Sequence, residues 1–417
     1  MSEGVDTVGL DTPPRLAVDR LLDDRETRII VCCGAGGVGK TTTAAALGVR
    51  AAARGRKAVV LTIDPARRLA QSMGIDSLDN TPRRVATAGG DGGELHAMML
   101  DMKRTFDEIV EAHADAERAR AILANPFYQS LSAGFAGTQE YMAMEKLGQL
   151  RARDDWDLII VDTPPSRSAL DFLDAPGRLG SFLDGKFIRV LMAPAKVGGR
   201  AGMKFLNVGM SMMTGTLSKL MGASLLKDVQ TFVAAMDTMF GGFRTRADAT
   251  FRLLQAPGTA FLVVAAPEPD ALREAAYFVE RLAAERMPLA GLVLNRVHGS
   301  GADQLSAERA LAAAENLEEG GIVDQESGKA GLRDTAAEPP GADDDTTAVD
   351  RITAGLLRLH AERMQVIARE QRTRDRFTSL HPEVAVAEVA ALPGDVHDLA
   401  GLRAIGERLA AGVPAGA

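Results

Sequence analysis

The chain has 417 residues, 46% hydrophobic and 25% charged, which is enough to bury a substantial core in one large domain. Its net charge of −8 and isoelectric point near 5.4 argue against a nucleic-acid-binding surface, which is normally basic. It opens with Met1-Ser2-Glu3-Gly4, without the segments of a secretory signal, and has no apolar run of the about 18–20 residues that span a membrane. We therefore expect a soluble cytoplasmic protein with no nucleic-acid partner and no integral membrane segment.

Residues 1–26 are polar at their start and are predicted to be a flexible N-terminal tail. The first part of the folded core is predicted over residues 27–174, with a helical segment over 103–153. Strand and helix patterns alternate in this part, which predicts a doubly wound, mostly parallel α/β sheet covered by helices.

The segment from Gly34 to Thr42 reads GAGGVGKTT, which meets the phosphate-loop pattern G-x-x-x-x-G-K-[ST]. An apolar run precedes it and an Ala-rich helical pattern follows, so the motif has the strand–loop–helix context that it requires. Backbone N–H groups of such a loop point at phosphates, Lys40 adds a positive charge, and Thr41 offers a hydroxyl to Mg²⁺. The predicted nucleotide-binding residues are Gly34, Gly36, Gly37, Val38, Gly39, Lys40, Thr41 and Thr42.

Two further apolar runs end in aspartate. One leads into Asp64-Pro65-Ala66, and the other, residues 158–161, ends at Asp162, where a carboxylate can hold Mg²⁺. With the phosphate loop, these motifs resemble the ArsA-type family of P-loop ATPases, which includes the arsenical-pump ATPase and the targeting factor for tail-anchored membrane proteins. The resemblance implies that ATP and Mg²⁺ bind, that Asp162 and Thr41 hold the metal, and that Asp64 orients the attacking water while Lys40 acts on the phosphates.

Later segments extend the resemblance. An apolar strand, residues 292–297, contains Asn295. In the family, the asparagine at this position contacts the edge of adenine, because its side-chain amide can both donate and accept a hydrogen bond. The segment from Ala391 to Asp395, with Pro393 at its centre, resembles the family's late loop that closes over the base. Both residues are therefore predicted to contact the nucleotide.

The phosphate loop departs from the family at one position. The family carries a signature lysine that crosses a dimer interface to the partner's phosphates, and this chain has Ala35 there. The resemblance is in particular to the actinobacterial paralogues that lack this lysine. We expect either pairing with a lysine-bearing paralogous ATPase subunit or a homodimer. Arg67, Arg68 or Arg167, which are new cations in the altered switch segments, are alternative replacements for the lysine.

The two cysteines give no metal-site signal. Cys32 and Cys33 are adjacent on a predicted strand, so their side chains should point to opposite faces and should be buried small hydrophobes. The arsenite and zinc sites that the resemblance would suggest need dispersed cysteines or a C-x-x-C pair, and the chain has neither.

Residues 175–256 interrupt the alternation before the core continues over 257–298. This predicted helical insertion is rich in methionine and phenylalanine, and in the targeting factor the corresponding insertion forms a groove for a client's membrane helix. A hydrophobic client helix is therefore one candidate partner. The other interpretation is that these side chains form the core of a helical cap.

Residues 299–345 are acidic and small and are predicted to be a mobile excursion, helical at most around Leu305 to Leu317. Residues 346–417 should form a long helix and the closing strand, loop and helix of the core. Val349, Ile352, Leu356 and Leu359 lie on one stripe of that long helix.

The resulting hypothesis is a Mg·ATP-binding ATPase in which dimer closure controls the helical insertion. One alternative is a nucleotide-binding regulatory subunit that does not hydrolyse ATP, and another is a chaperone for hydrophobic clients. Absence of the signature lysine predicts weak hydrolysis by the isolated chain.

Overall fold

The computed structural model describes residues 14–64, 68–86, 92–132, 138–164, 245–326 and 342–411. The strands are β1 (Ile29–Cys33), β2 (Lys57–Thr62), β3 (Arg83–Arg84), β4 (Glu94–Met99), β5 (Leu158–Asp162), β6 (Thr259–Ala265), β7 (Leu289–Val297) and β8 (Val386–Ala390). The helices are α1 (Val18–Asp23), α2 (Lys40–Ala53), α3 (Arg68–Ser72), α4 (Met102–His113), α5 (Ala116–Leu123), α6 (Pro126–Ser132), α7 (Thr138–Arg153), α8 (245–255), α9 (Pro269–Ala284), α10 (Ala307–Glu326), α11 (Ala342–Leu380) and α12 (Leu399–Ala411).

The eight strands form one sheet in the order β3-β4-β2-β5-β1-β6-β7-β8. All neighbouring strands are parallel except β3 and β4, which confirms the predicted mostly parallel α/β fold. Parallel strands end at a common edge, so the carboxyl ends of β1, β2, β5 and β7 meet there. Ligands of such sheets bind outside this edge.

The central strands β1, β5 and β6 are buried along their whole length, because helices cover both faces of the sheet. Cys33 packs in the core cluster that includes α4, α7, α8 and α9, whereas Cys32 packs in the cluster with α1, α2, α3 and α12. The two thiols therefore point to opposite faces, as predicted. Burial raises the pKa of both thiols, that of Cys33 to about 12, so both are neutral core residues.

The prediction of a flexible tail over residues 1–26 is wrong for its second half. Residues 18–23 form α1, which three arginines of α2 and the following turn hold in place. Arg50 binds Asp19 at 2.7 Å and Arg54 binds Asp23 at 2.6 Å. The guanidinium of Arg56 is buried and donates to the carbonyl oxygens of Leu22, Asp24, Thr27 and Asp157.

Within the predicted excursion over 299–345, residues 307–326 form the helix α10, which extends past the helical stretch expected around Leu305 to Leu317. Ala310 and Ala314 of α10 are fully buried, as are Ala354 and Ala361 of α11, and the two helices pack along each other. Small side chains let the two backbones approach closely, and this packing stabilises α10.

Most of the predicted Met-rich insertion lies outside the described residues. Its last part, α8, packs into the core through Ala247 and Leu254. Arg246 of α8 forms an ion pair with the buried Glu145 of α7 at 2.8 Å. In the part of the chain that the structure describes, no helix is both long enough and apolar enough to cross a membrane.

Candidate nucleotide-binding site

The phosphate loop connects β1 to α2 at the carboxyl edge of the sheet, as the sequence predicts. Two of its glycines have positive φ where a side chain would clash: a Cβ on Gly34 would meet the carbonyl oxygen of Val264, and one on Gly39 would meet the amide of Asn295. Gly36 and Gly37 are exposed, whereas Val38 is buried. The loop therefore presents open backbone on one side and is fixed by packing on the other.

Lys40 and Thr41 form the first turn of α2 and so lie at its positive N-terminal end. The ammonium group of Lys40 is buried and donates to the carbonyl oxygen of Ala35 at 2.7 Å. Burial lowers the pKa of Lys40, and nearby Asp162 opposes that shift. Ala35 is itself buried, with 8% of its surface exposed, so its methyl group is part of the core.

Thr41 and Asp162 meet directly. The hydroxyl of Thr41 donates to Oδ2 of Asp162 at 2.7 Å, and the hydroxyl of Thr62 donates to the same oxygen at 2.8 Å. The other oxygen, Oδ1, is buried without a hydrogen-bond donor among the described residues. A buried carboxylate oxygen without a partner, beside a threonine hydroxyl, suits a hard cation such as Mg²⁺. The predicted metal pair of Thr41 and Asp162 therefore fits the ion.

Sequence reasoning missed Thr62. It is the last residue of β2 and lies opposite Asp162 in the parallel pairing of β2 with β5. The two residues are 100 positions apart in the chain, so only the register of β2 against β5 shows that they are in contact. Thr62 fixes the rotamer of Asp162 and also contacts the backbone N–H of Asp64 at 3.3 Å.

Asp64 lies two residues beyond the end of β2 and is half-buried. It is close enough to Lys40 that its charge opposes the lowering of the Lys40 pKa by burial. Pro65, Ala66 and Arg67 lie outside the described residues, as does Arg167, whereas Arg68 is exposed at the start of α3. The catalytic role of Asp64 and the arginine alternatives stay predictions.

Asn295 lies near the end of β7 and contacts the phosphate loop. Its Nδ2 donates to the carbonyl oxygen of Val38 at 2.8 Å, and the residue is buried. This contact was not predicted, and it ties the end of β7 to the loop. The amide oxygen of Asn295 is a separate atom that can accept a bond from the amino group of adenine, so its predicted role is compatible with the contact.

A cavity of about 540 Å³ lies beside these residues, within the size range of small-ligand sites. Gly39, Thr42 and Asn295 line one side of it, and Leu392 and Gly394 of the loop after β8 line another. Pro393 is between those two residues and is exposed. The cavity adjoins the phosphate loop through Gly39 and Thr42.

The contact of Asn295 gives a testable prediction. Replacing Asn295 by Ala leaves the buried Val38 carbonyl without its donor, at a cost of about 1–3 kcal/mol. We expect weaker binding of ATP and also of inorganic tripolyphosphate, because the loop itself loosens. Calorimetric titration of both ligands measures this. A loss confined to ATP would mean that Asn295 acts on the base alone.

The burial of Asp162 gives a second prediction. Burial raises its pKa from 3.8 to about 6. A raised folded-state pKa means that this group stabilises the fold at low pH and that the contribution is lost as pH rises from about 4 to about 6. Asp162→Asn should therefore flatten this pH dependence and raise the free energy of unfolding at pH 7, by at most about 3 kcal/mol. Denaturant unfolding at pH 5 and 7 tests it, and a less stable variant at pH 7 contradicts it.

These features are those of the P-loop NTPase fold, with a Thr–Asp pair that suits magnesium. The family model described as anion-transporting ATPase, ArsA_ATPase, matches residues 27–319. The chain therefore belongs to the anion-transporting ATPase family.

Several curated relatives are similar over part of the chain. It is 30% identical to ATPase GET3 of Malassezia globosa over 173 residues, which are 42% of this chain and 49% of that protein. It is 26% identical to ATPase GET3 of Podospora anserina over 299 residues, 70% of this chain and 80% of that protein. It is 31% identical to ATPase BagA of Mycobacterium tuberculosis over 157 residues, 35% of this chain and 45% of that protein. The matches to the Malassezia and Mycobacterium proteins thus span about half the length of those relatives.

Proposed function

We propose that this protein is a Mg²⁺-dependent ATPase. The observation that supports it most directly is the Thr41–Asp162 contact of 2.7 Å beside the buried ammonium of Lys40. A threonine and a carboxylate at a phosphate loop are the protein ligands of Mg²⁺ in nucleotide hydrolases of this general type. The names of the relatives, ATPase GET3 and ATPase BagA, support the same activity.

In this mechanism the backbone N–H groups of Gly36 to Thr42 bind the phosphates. Lys40 leaves the carbonyl oxygen of Ala35 and donates to the β- and γ-phosphates instead. Thr41 and Asp162 would hold Mg²⁺, which when bound neutralises phosphate charge. Asp64 orients a water molecule for in-line attack and accepts its proton.

Regulation in this proposal depends on a dimer. Asp162 ends β5 and Asp64 follows the end of the neighbouring strand β2, so the segments after the two residues respond together to the γ-phosphate. Closure of two subunits would pass this state to the helical insertion, where a client or partner binds.

A second candidate is a regulatory subunit that binds ATP without hydrolysing it. The burial of the Ala35 methyl group favours it, because the position that carries a cation in the family is here an apolar core position. Both candidate functions predict that the protein binds ATP, but only the first predicts that it hydrolyses ATP.

Asp64→Asn tests the proposed activity. The variant should keep its affinity for Mg·ATP, because the phosphate loop is untouched, and should lose turnover by about 10²–10⁴-fold, as general bases do. Asp76→Asn, which removes an exposed carboxylate on a loop, is the matched control. Phosphate release and calorimetric binding are measured for both variants, with a lysine-bearing paralogue added. Equal turnover of Asp64→Asn and the control would reject the role of Asp64, and no turnover in any mixture would favour the regulatory subunit.

A further inference from the structure

The N-terminal half of α11 carries an unusual surface. Val349, Ile352, Leu356 and Leu359 are each 60–65% exposed, and they are four of the six large hydrophobic side chains that are exposed among the described residues. Such residues are usually scattered singly, so a continuous stripe indicates an interaction site. We call these four residues the α11 stripe.

The other side of this half-helix is occupied. Ala354 and Ala361 are fully buried where α11 packs on α10, and Arg358 binds Glu318 of α10 at 2.6 Å. At 100° per residue, Ala354 and Ala361 point away from the α11 stripe. α10 therefore covers the back of the helix, and no element among the described residues covers the stripe.

The spacing of the α11 stripe is that of a coiled coil. Its residues follow each other at intervals of three, four and three, which are the a and d positions of a heptad pattern. A helical partner with the same spacing would fit it. Residues 342–362 of the helix span about 30 Å, which is enough for several layers of side chains.

We propose that the α11 stripe docks onto the same stripe of a second copy of this chain, with the two helices antiparallel. The stripe is symmetric about position 354, because 349 and 359 share this midpoint, and so do 352 and 356. An antiparallel pair therefore places Val349 against Leu359 of the second copy, and Ile352 against Leu356. Every apolar residue meets an apolar residue of the other copy.

Charge repulsion selects this orientation. The next heptad position beyond Leu359 is Arg363, an exposed cation that also donates to the carbonyl oxygen of Gly299. Parallel pairing would place Arg363 of one copy opposite Arg363 of the other. Antiparallel pairing keeps the two arginines at opposite ends of the stripe. The flanking positions Thr353 and Gly355 are uncharged, and a Cβ at Gly355 would meet no atom within 4 Å.

The interface is small, so the dimer should be weak. Stable complexes bury more than about 1,000 Å² in total, and four side chains per copy reach the lower end of this range at most. We expect a dissociation constant on the order of 10 µM for the nucleotide-free protein. Leaving out nucleotide separates this contact from any ATP-dependent closure.

Sedimentation equilibrium of the full chain without nucleotide tests the proposal. The wild type should dimerise over a range of about 1–200 µM, and Ile352→Asp with Leu356→Asp should weaken dimerisation at least tenfold. Leu380→Asp, at a site of similar exposure at the other end of α11, is the control and should dimerise like the wild type. A monomeric wild type overturns the proposal, as does equal weakening by the control. The proposal is also overturned if the wild type is monomeric and the stripe variant has a lower melting temperature than the wild type. That result would mean that the stripe packs within its own chain.

Oxidative crosslinking tests the orientation. The native Cys32 and Cys33 are buried, so introduced cysteines report on the surface. Ile352→Cys combined with Leu356→Cys should give a covalent dimer. Val349→Cys alone should not, because antiparallel pairing separates the two Val349 positions by ten residues, about 15 Å along the axis, beyond the about 7 Å limit for a disulfide. Crosslinking by Val349→Cys alone would overturn the antiparallel arrangement, and so would no crosslink in the double variant.

Discussion

Lys40→Ala should lose the stabilisation that Mg·ATP gives to the wild-type protein. At a ligand concentration about 100-fold above Kd, a ligand that binds only the folded state adds about 2.7 kcal/mol to the free energy of unfolding. The Lys40 ammonium donates to the Ala35 carbonyl, and in the proposed mechanism it binds the phosphates. Its removal takes away the positive charge at the centre of the phosphate loop.

The measurement is the difference in melting temperature with and without Mg·ATP, rather than the melting temperature itself. This distinction matters because Lys40 is buried, so its replacement also changes the stability of the nucleotide-free fold. Lys57→Ala is the matched control, since Lys57 lies at the start of β2 and stacks over Trp156 at 5.2 Å. The control should keep the full nucleotide-dependent shift. The phosphate-loop assignment fails if Lys40→Ala keeps it as well.

The phosphate-loop segment shows what the sequence can predict. Its backbone conformation is local, because the glycines and the flanking strand and helix are contiguous in the chain. The same holds for β5 ending at Asp162 and for β7 containing Asn295, each of which is a single apolar run. The opposite orientation of Cys32 and Cys33 follows from the alternation of side chains along one strand.

Contacts between distant segments could not be predicted in the same way. Thr62 meets Asp162 because β2 and β5 are neighbours in register, and the sequence does not specify which strands are neighbours. The ion pair of Arg50 with Asp19 orders α1, although each residue alone reads as an ordinary surface charge. The bond of Asn295 to Val38 has the same origin, since it joins residues 257 positions apart.

The largest effect on turnover is expected from the missing signature lysine. A cation that a partner inserts to neutralise a phosphoryl-transfer transition state contributes about 10³–10⁵ in rate, or roughly 4–7 kcal/mol. This chain has Ala35 at the matched position, with its methyl group in the core and its carbonyl oxygen bound to Lys40. We therefore expect weak or absent hydrolysis by the isolated chain and a large increase when a lysine-bearing paralogue is added.

Ala35→Lys is the converse experiment. If two copies of the variant can close, each supplies the missing cation to the other, and turnover of the isolated chain should rise towards that of the mixture. Ala35→Gln is the matched control, because a long uncharged side chain disturbs the same buried position without adding charge. Equal rates for the Lys and Gln variants would show that the charge at position 35 is not what limits turnover.

Arginine is the competing explanation, because its guanidinium clamps phosphates well. Arg68 is exposed at the start of α3, close in sequence to Asp64, whereas Arg67 and Arg167 lie outside the described residues. If one of them replaces the lysine, the isolated chain turns over rapidly and loses this activity when that arginine becomes Ala. Rapid hydrolysis by the isolated wild type that survives replacement of all three arginines contradicts both explanations. The buried Ala35 predicts a different result. The isolated chain should hydrolyse ATP slowly, the paralogue should increase this rate, and replacing the three arginines should leave it unchanged.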